Sequence, residues 1–160
     1  NTFSKLVKSV IIMKFNNNLV VKKFYDLSVS ELFEILKLRQ NVFIIEQNCI
    51  YKDIDNIDKI SYHVMIFQKK LVSYLRFYNV NSEVAVIGRV VTEKKFRNKK
   101  NANYIIKQSI QKIKENKEIK LIKISAQLHL KTFYELFNFK SKGESYLEDN
   151  IPHIEMHLNI

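Results

Sequence analysis

The chemistry legible in this 160-residue chain is concentrated between positions 87 and 102, IGRVVTEKKFRNKKNA. A β-branched, nearly uncharged run with one arginine, Arg89, passes into a basic stretch and then into a helix start. A strand, a basic loop and a helix N-terminus in that order aim backbone N–H groups and positive charge at one point, which suits a phosphate. Gly-rich phosphate loops rely on glycine for close backbone approach, yet Lys100 and Ala102 hold the obvious positions here. Spacing alone leaves two readings open, a phosphate cradle and a solvated basic turn.

The remaining reactive side chains are scattered. Cys49 is the single cysteine. It excludes an internal disulfide framework, points to a reducing, cytoplasmic setting, and has no nucleophile motif around it, so it reads as an inert thiol. Asp53, Asp55 and Asp58 are spaced almost like calcium ligands, but the turn glycine and terminal glutamate of such a loop are missing. His63, His129, His153 and His157 form no zinc pattern, and all but His129 fall in strand-like runs, where they read as hydrogen-bonding residues. No metal is expected.

Hydrophobic periodicity supplies the elements that must position these groups. Residues 19–25 read as a strand, and Ser28 with Glu31 forms a capping-box pattern that opens a helix to about Gln47. Residues 49–60 read as a loop. Residues 62–68 and 70–80 read as a hairpin, with Leu71, Ser73, Leu75 and Phe77 on one face and Val72, Tyr74, Arg76 and Tyr78 on the other. The central strand follows at 84–92. Ala102, Ile105, Ile106, Ile110 and Ile113 then stripe one face of a helix. A strand at 119–125, a short helix at 129–138, and strands at 139–144 and 153–158 close the chain, with Pro152 in the last loop. The order βαβββαβαββ predicts one α/β domain, a mixed, mostly antiparallel central sheet with helices on both faces. The domain is expected to span 13–160, and 1–12 reads as an extension of uncertain status, since Met13 is a possible start.

The formal net charge of +11 is uneven. Between Lys94 and Lys123, eleven lysines or arginines stand against Glu115 and Glu118, a net +9. That field attracts polyanions and disfavours cationic substrates such as polyamines. No run is long and apolar enough for a membrane span.

The element order, with a basic loop after the fourth strand, resembles the GNAT superfamily of acetyl-CoA-dependent N-acetyltransferases, and within it the ElaA-like group. The stretches that carry the resemblance are LRQNVFIIEQNCIYKDID (38–55), LVSYLRF (71–77), IGRVV (87–91), ISAQLHLKTFYELFNF (124–139) and YLEDNIPHIEM (146–156). The family loop R/Q-x-x-G-x-G/A is similar to Arg97, Asn98, Lys99, Lys100, Asn101, Ala102, with Lys100 where the middle glycine would stand. The resemblance implies that amides from Asn98 to Asn103 hold the acetyl-CoA pyrophosphate. A lysine fits that position if its φ is negative and its side chain points out. It further implies that Val90, Val91 and Thr92 pair with the pantetheine arm where the fourth and fifth strands part, and that Ser125 faces the same cleft. Tyr134, which by periodicity alone packs with Phe133, Phe137 and Phe139, matches the tyrosine that protonates the leaving thiolate in many relatives. Direct transfer to a small-molecule amine, with a backbone N–H near Val91 for the oxyanion and a homodimeric assembly, completes what the family implies.

The acceptor is less legible. Arg76 and Arg89 lie on adjacent strands, so either they hold an anionic group of the acceptor, with Glu46 nearby, or they anchor the aspartates of the 53–58 loop. The first reading points to a small anionic amine such as glucosamine 6-phosphate. Glu46, Asp55, His129 and Glu155 are the candidate general bases. The competing classes are a CoA-binding protein that has lost transfer, and a basic polyanion-binding module. The second is disfavoured as a nucleic-acid binder because no aromatics are set out for base stacking.

Overall fold

The computed structural model describes residues 19–160, and the expected extension at 1–12 lies outside them. Seven strands form one sheet in the order β1-β2-β3-β4-β5-β7-β6. They are β1 (Leu19–Lys23), β2 (Tyr62–Gln68), β3 (Lys70–Asn79), β4 (Val84–Thr92), β5 (Leu121–Gln127), β6 (Lys140–Glu148) and β7 (Ile151–Asn159). Every neighbouring pair is antiparallel except β4 and β5, which run parallel. The helices are α1 (Val29–Arg39), the one-turn α2 (Ile57–Ile60), α3 (Asn101–Lys114) and α4 (Lys131–Glu135). No helix among the described residues is long and apolar enough to cross a membrane.

Two apolar clusters flank the sheet. One joins Val64, Leu75 and Ile87 to Ile105, Ile106 and Ile113 of α3 and to Tyr134 of α4. The other joins Met65, Tyr74 and Val91 to Ile35 and Leu38 of α1. Alternate strand residues feed the two clusters, as a sheet covered on both faces requires. The face assignment in β3 differs from simple alternation. Ile66 pairs with Ser73 but Phe67 with Leu71, so one extra residue in β3 flips the start of the strand. Leu71 therefore shares a cluster with Tyr74, and Val72 with Leu75 and Phe77.

Two more boundaries correct the sequence reading. The first helix keeps its capping box, with Ser28 Oγ accepting from the Glu31 amide and Glu31 bonding back. It is not a uniform helix to Gln47, because Gln40–Glu46 is a π-helical stretch, a geometry concentrated at functional sites. Pro152 lies inside β7 and pairs with Leu147 of β6. The turn is instead made by Asp149 and Asn150, both at positive φ, as a two-residue hairpin requires. Pro152 is tolerated because the register with β5 stops at Gln127 and His153, so no partner needs its missing N–H on that side.

Candidate active site

Strands β4 and β5 hold each other through only three register pairs, Val84, Ala85 and Val86 against Leu121, Ile122 and Lys123. Beyond them the strands part. A β-bulge in β4 sharpens the separation: Arg76 pairs with Gly88 and Tyr74 with Val91, leaving Arg89 and Val90 opposite Leu75. Arg89 takes φ +52°, which turns its side chain and the following peptide groups out of the regular pleat. The gap opens into a cavity of about 1090 Å³.

The basic loop forms one end of this cavity. Asn98, Lys100 and the first helical residues Asn101, Ala102 and Asn103 line it. Lys100 is the N-cap residue of α3 at φ +62°, and no side chain caps that end. The first-turn N–H groups are thus left for a ligand, and the helix dipole adds positive potential there. The left-handed conformation is one that glycine adopts most readily, and it overturns the condition that a lysine fits with negative φ. Asn98 is also left-handed, at φ +58°. The loop is held from behind by Asn101, 2% exposed, whose Nδ2 donates to the Phe96 carbonyl at 3.1 Å. Arg97 Nε donates to the Thr92 carbonyl at 3.0 Å, and its guanidinium forks onto Glu46 at 2.5 and 3.0 Å. Lys99 is not on the cavity wall; its ammonium sits 5.2 Å over the Phe96 ring.

Val90, Val91 and Thr92 line the opening, and Tyr134 reaches it from α4. Tyr134 is 4% exposed, and its hydroxyl makes no hydrogen bond to any described residue. Burial pushes its phenol well above the usual tyrosine range, so it stays protonated. Its ring packs edge-on against Phe133 and Phe139, as the core reading expected, while its residue borders the cavity. Ser125 donates to Glu148 at 2.8 Å and lies 2.5 Å from the Tyr146 hydroxyl. The carboxylate takes the serine proton, so Tyr146 donates to Ser125.

The opposite end is built on three arginines and three aspartates. Arg39, at the end of α1, is fully buried and bonds Asp53 Oδ2 and Asp58 Oδ1, each at 2.8 Å, and the Asp53 carbonyl at 2.6 Å. Arg76 bonds both Asp55 oxygens at 2.6 and 2.8 Å and Asp58 Oδ1 at 2.6 Å. Arg89 approaches Asp53 at 2.8 Å and Asp55 at 3.4 Å. The six formal charges cancel. The aspartates are therefore occupied by guanidinium groups, which accounts for their near-calcium spacing without a cation. Burial alone would raise the Asp58 carboxyl, but Arg39 and Arg76 outweigh it and hold it below the usual range.

Of the sequence-proposed bases, Glu46 is held low by its hydrogen bond to Arg97. Asp55 is held low by Arg76 and Arg89 against the opposing effect of burial. Glu155 is off the cavity wall, paired with His157 and Lys123. His129 lines the cavity, and its ring makes no hydrogen bond to the described residues. Sequence reasoning missed Arg39, because a basic residue in the last turn of a helix reads as a dipole-compensating surface charge.

A family model described as an acetyltransferase (GNAT) domain matches residues 33–160. The chain belongs to the GNAT acetyltransferase family. It is 36% identical to protein ElaA of Escherichia coli over 136 residues, 82% of this chain and 89% of that one. It is 35% identical to a UPF0039 protein of Schizosaccharomyces pombe, over 91% of this chain and 99% of the relative. The crystal structure of E. coli ElaA superposes with a TM-score of 0.81 over 87% of this chain and 97% of that one. An acyl-CoA N-acyltransferase from Pseudomonas aeruginosa superposes with a TM-score of 0.81 at 32% identity, over 88% and 97% of the two chains. The mixed sheet with a parted β4–β5 pair is thus a GNAT sheet, and the fold supports acyl transfer.

Proposed function

We propose that this protein transfers an acetyl group from acetyl-CoA to a primary amine by direct attack, with the pyrophosphate at the Lys100–Asn103 helix start and the thioester in the β4–β5 gap. The observation that carries this reading is the parted strand pair, opening between an uncapped helix N-terminus and a buried phenol without a partner. The neutral amine attacks the thioester carbonyl. A backbone N–H of the bulge near Val91 stabilises the oxyanion. On collapse, Tyr134 gives its proton to the departing thiolate.

The acceptor approaches from the Arg–Asp end. There Arg89 and Asp55 both border the cavity, their side chains 20% and 32% exposed. A guanidinium beside a carboxylate complements a small amine that also carries an anionic group, of which glucosamine 6-phosphate is one example. Arg76 follows the anchoring alternative of the sequence reading, since its Nη atoms are taken up by Asp55 and Asp58. Glu46 is likewise committed to Arg97.

Calorimetric titration with acetyl-CoA, followed by a thermal-shift screen of amines in its presence, tests the reading. Micromolar binding and a further shift with an anionic amine are expected. Absence of acetyl-CoA binding sinks the donor assignment. Donor binding with a response only to amines lacking an anionic group sinks the acceptor class alone.

A further inference from the structure

The cavity wall also holds a histidine that the sequence reading set aside. His153 is half-buried at the start of β7 and borders the cavity together with Ser125, Gln127 and Glu148. Its Nδ1 lies 2.8 Å from the Ile151 carbonyl. A carbonyl only accepts, so Nδ1 carries the proton and, in the neutral ring, Nε2 carries the lone pair. Nε2 has no partner among the described residues. Two features fix the ring. Tyr146 stacks on it at 6.3 Å and 23°, and Pro152, with its locked φ, sets the path from Ile151 to His153.

We propose that His153 is the general base that removes a proton from the acceptor ammonium. This rests on the acetyl-transfer reading. It is the one imidazole on the cavity wall, among the described residues, whose tautomer a hydrogen bond to the protein fixes; the carboxylates Glu46 and Asp55 are tied to arginines. In the reaction, Nε2 takes one proton from the ammonium and passes it to solvent. The amine lone pair then forms the C–N bond as the carbonyl becomes the oxyanion. Collapse breaks the C–S bond, the thiolate takes the Tyr134 proton, and the second nitrogen proton restores the phenol. One proton leaves to solvent and one ends on the thiol.

The titratable groups that share this face are Tyr146, Glu148, Lys142 and Lys140 from β6, Glu155 and His157 from β7, and Lys123 from β5. Glu148 is bonded to Ser125, and Glu155 to His157 and to Lys123.

The test uses acetyl-CoA with glucosamine 6-phosphate, L-lysine and a tripeptide α-amine, taking whichever turns over fastest. For His153→Gln, kcat/KM is expected to fall on the order of 100-fold near neutral pH. The deficit should shrink as pH approaches the pKa of the amine, with acetyl-CoA affinity unchanged. A variant with wild-type kcat/KM and the same acidic limb overturns the proposal and leaves the acetyl-transfer reading standing. A wild-type protein inert towards all three amines overturns both. Independently of any acceptor, long-range nitrogen–proton spectra of the wild type should show the Nδ1–H tautomer, and an Nε2–H tautomer also overturns the assignment.

Discussion

At the scale of single residues, the site depends on groups held in states they would not choose in water. Tyr134 is kept protonated by burial, so its one available service is to donate. Replacing it with phenylalanine should leave the edge-on contacts with Phe133 and Phe139 in place and remove only the proton. Turnover is expected to fall on the order of 100-fold with the acetyl-CoA dissociation constant unchanged; equal turnover would remove Tyr134 as the acid. Lys100 is held at positive φ, where a side chain costs roughly 1–2 kcal/mol. Lys100→Gly and Lys100→Ala both remove the charge, but only glycine relieves the backbone. Urea unfolding should find the glycine variant more stable by about 1 kcal/mol, glycine's looser unfolded chain offsetting part of the gain. An alanine variant of equal stability would show that the turn relaxes without strain.

At the scale of elements, the Arg–Asp end of the cavity is a segment stapled to three scaffolds. Arg39 comes from α1, Arg76 from β3 and Arg89 from the β4 bulge, and all three converge on the loop bearing Asp53, Asp55 and Asp58. Removing one member leaves the others buried without their counter-charge, so Asp58→Ala should cost about 3–5 kcal/mol in urea unfolding. A loss below about 1 kcal/mol would mean that water already screens the cluster. The strands and the α1 cap were legible because period-two alternation and Ser28–Glu31 are local signals. The bulges of β3 and β4 were not, because a bulge is a property of a strand pair: neither Val72 nor Arg89 marks it in its own strand. Arg39 stayed hidden for a related reason, since its partners lie 14 and 19 positions away. His153 was legible only as a strand residue. Its chemistry comes from a carbonyl two positions back and a tyrosine on the neighbouring strand.

Across the described residues charge is segregated: a basic end around α3, and an Arg–Asp end in which six charges cancel. Two kinds of group tie this layout to pH. His63 is fully buried, with Nδ1 against the Tyr74 hydroxyl and Nε2 against the Asp58 carbonyl, both at 2.8 Å. Burial holds its pKa below the ordinary histidine value of 6.5, so the folded state favours the neutral ring. The stability this contributes is present above pH 6.5 and is lost as pH falls through the lowered folded value. Asp58 and Asp55 follow at lower pH. Their folded values lie below 3.8, so their contribution is present above that pH and is lost further down, when protonation strips Arg39 and Arg76 of their counter-charges. Self-repulsion from the net +11 grows over the same range. Thermal unfolding from pH 8 to pH 3 should therefore show two declines, a shallow one beginning near the ordinary histidine range and a steeper one in the carboxylate range. His63→Gln should flatten the first and leave the second. A melting temperature that stays level down to the carboxylate range in the wild type would show that the ring accepts a proton without cost, and that the Arg–Asp network beside it is wetter than its burial implies.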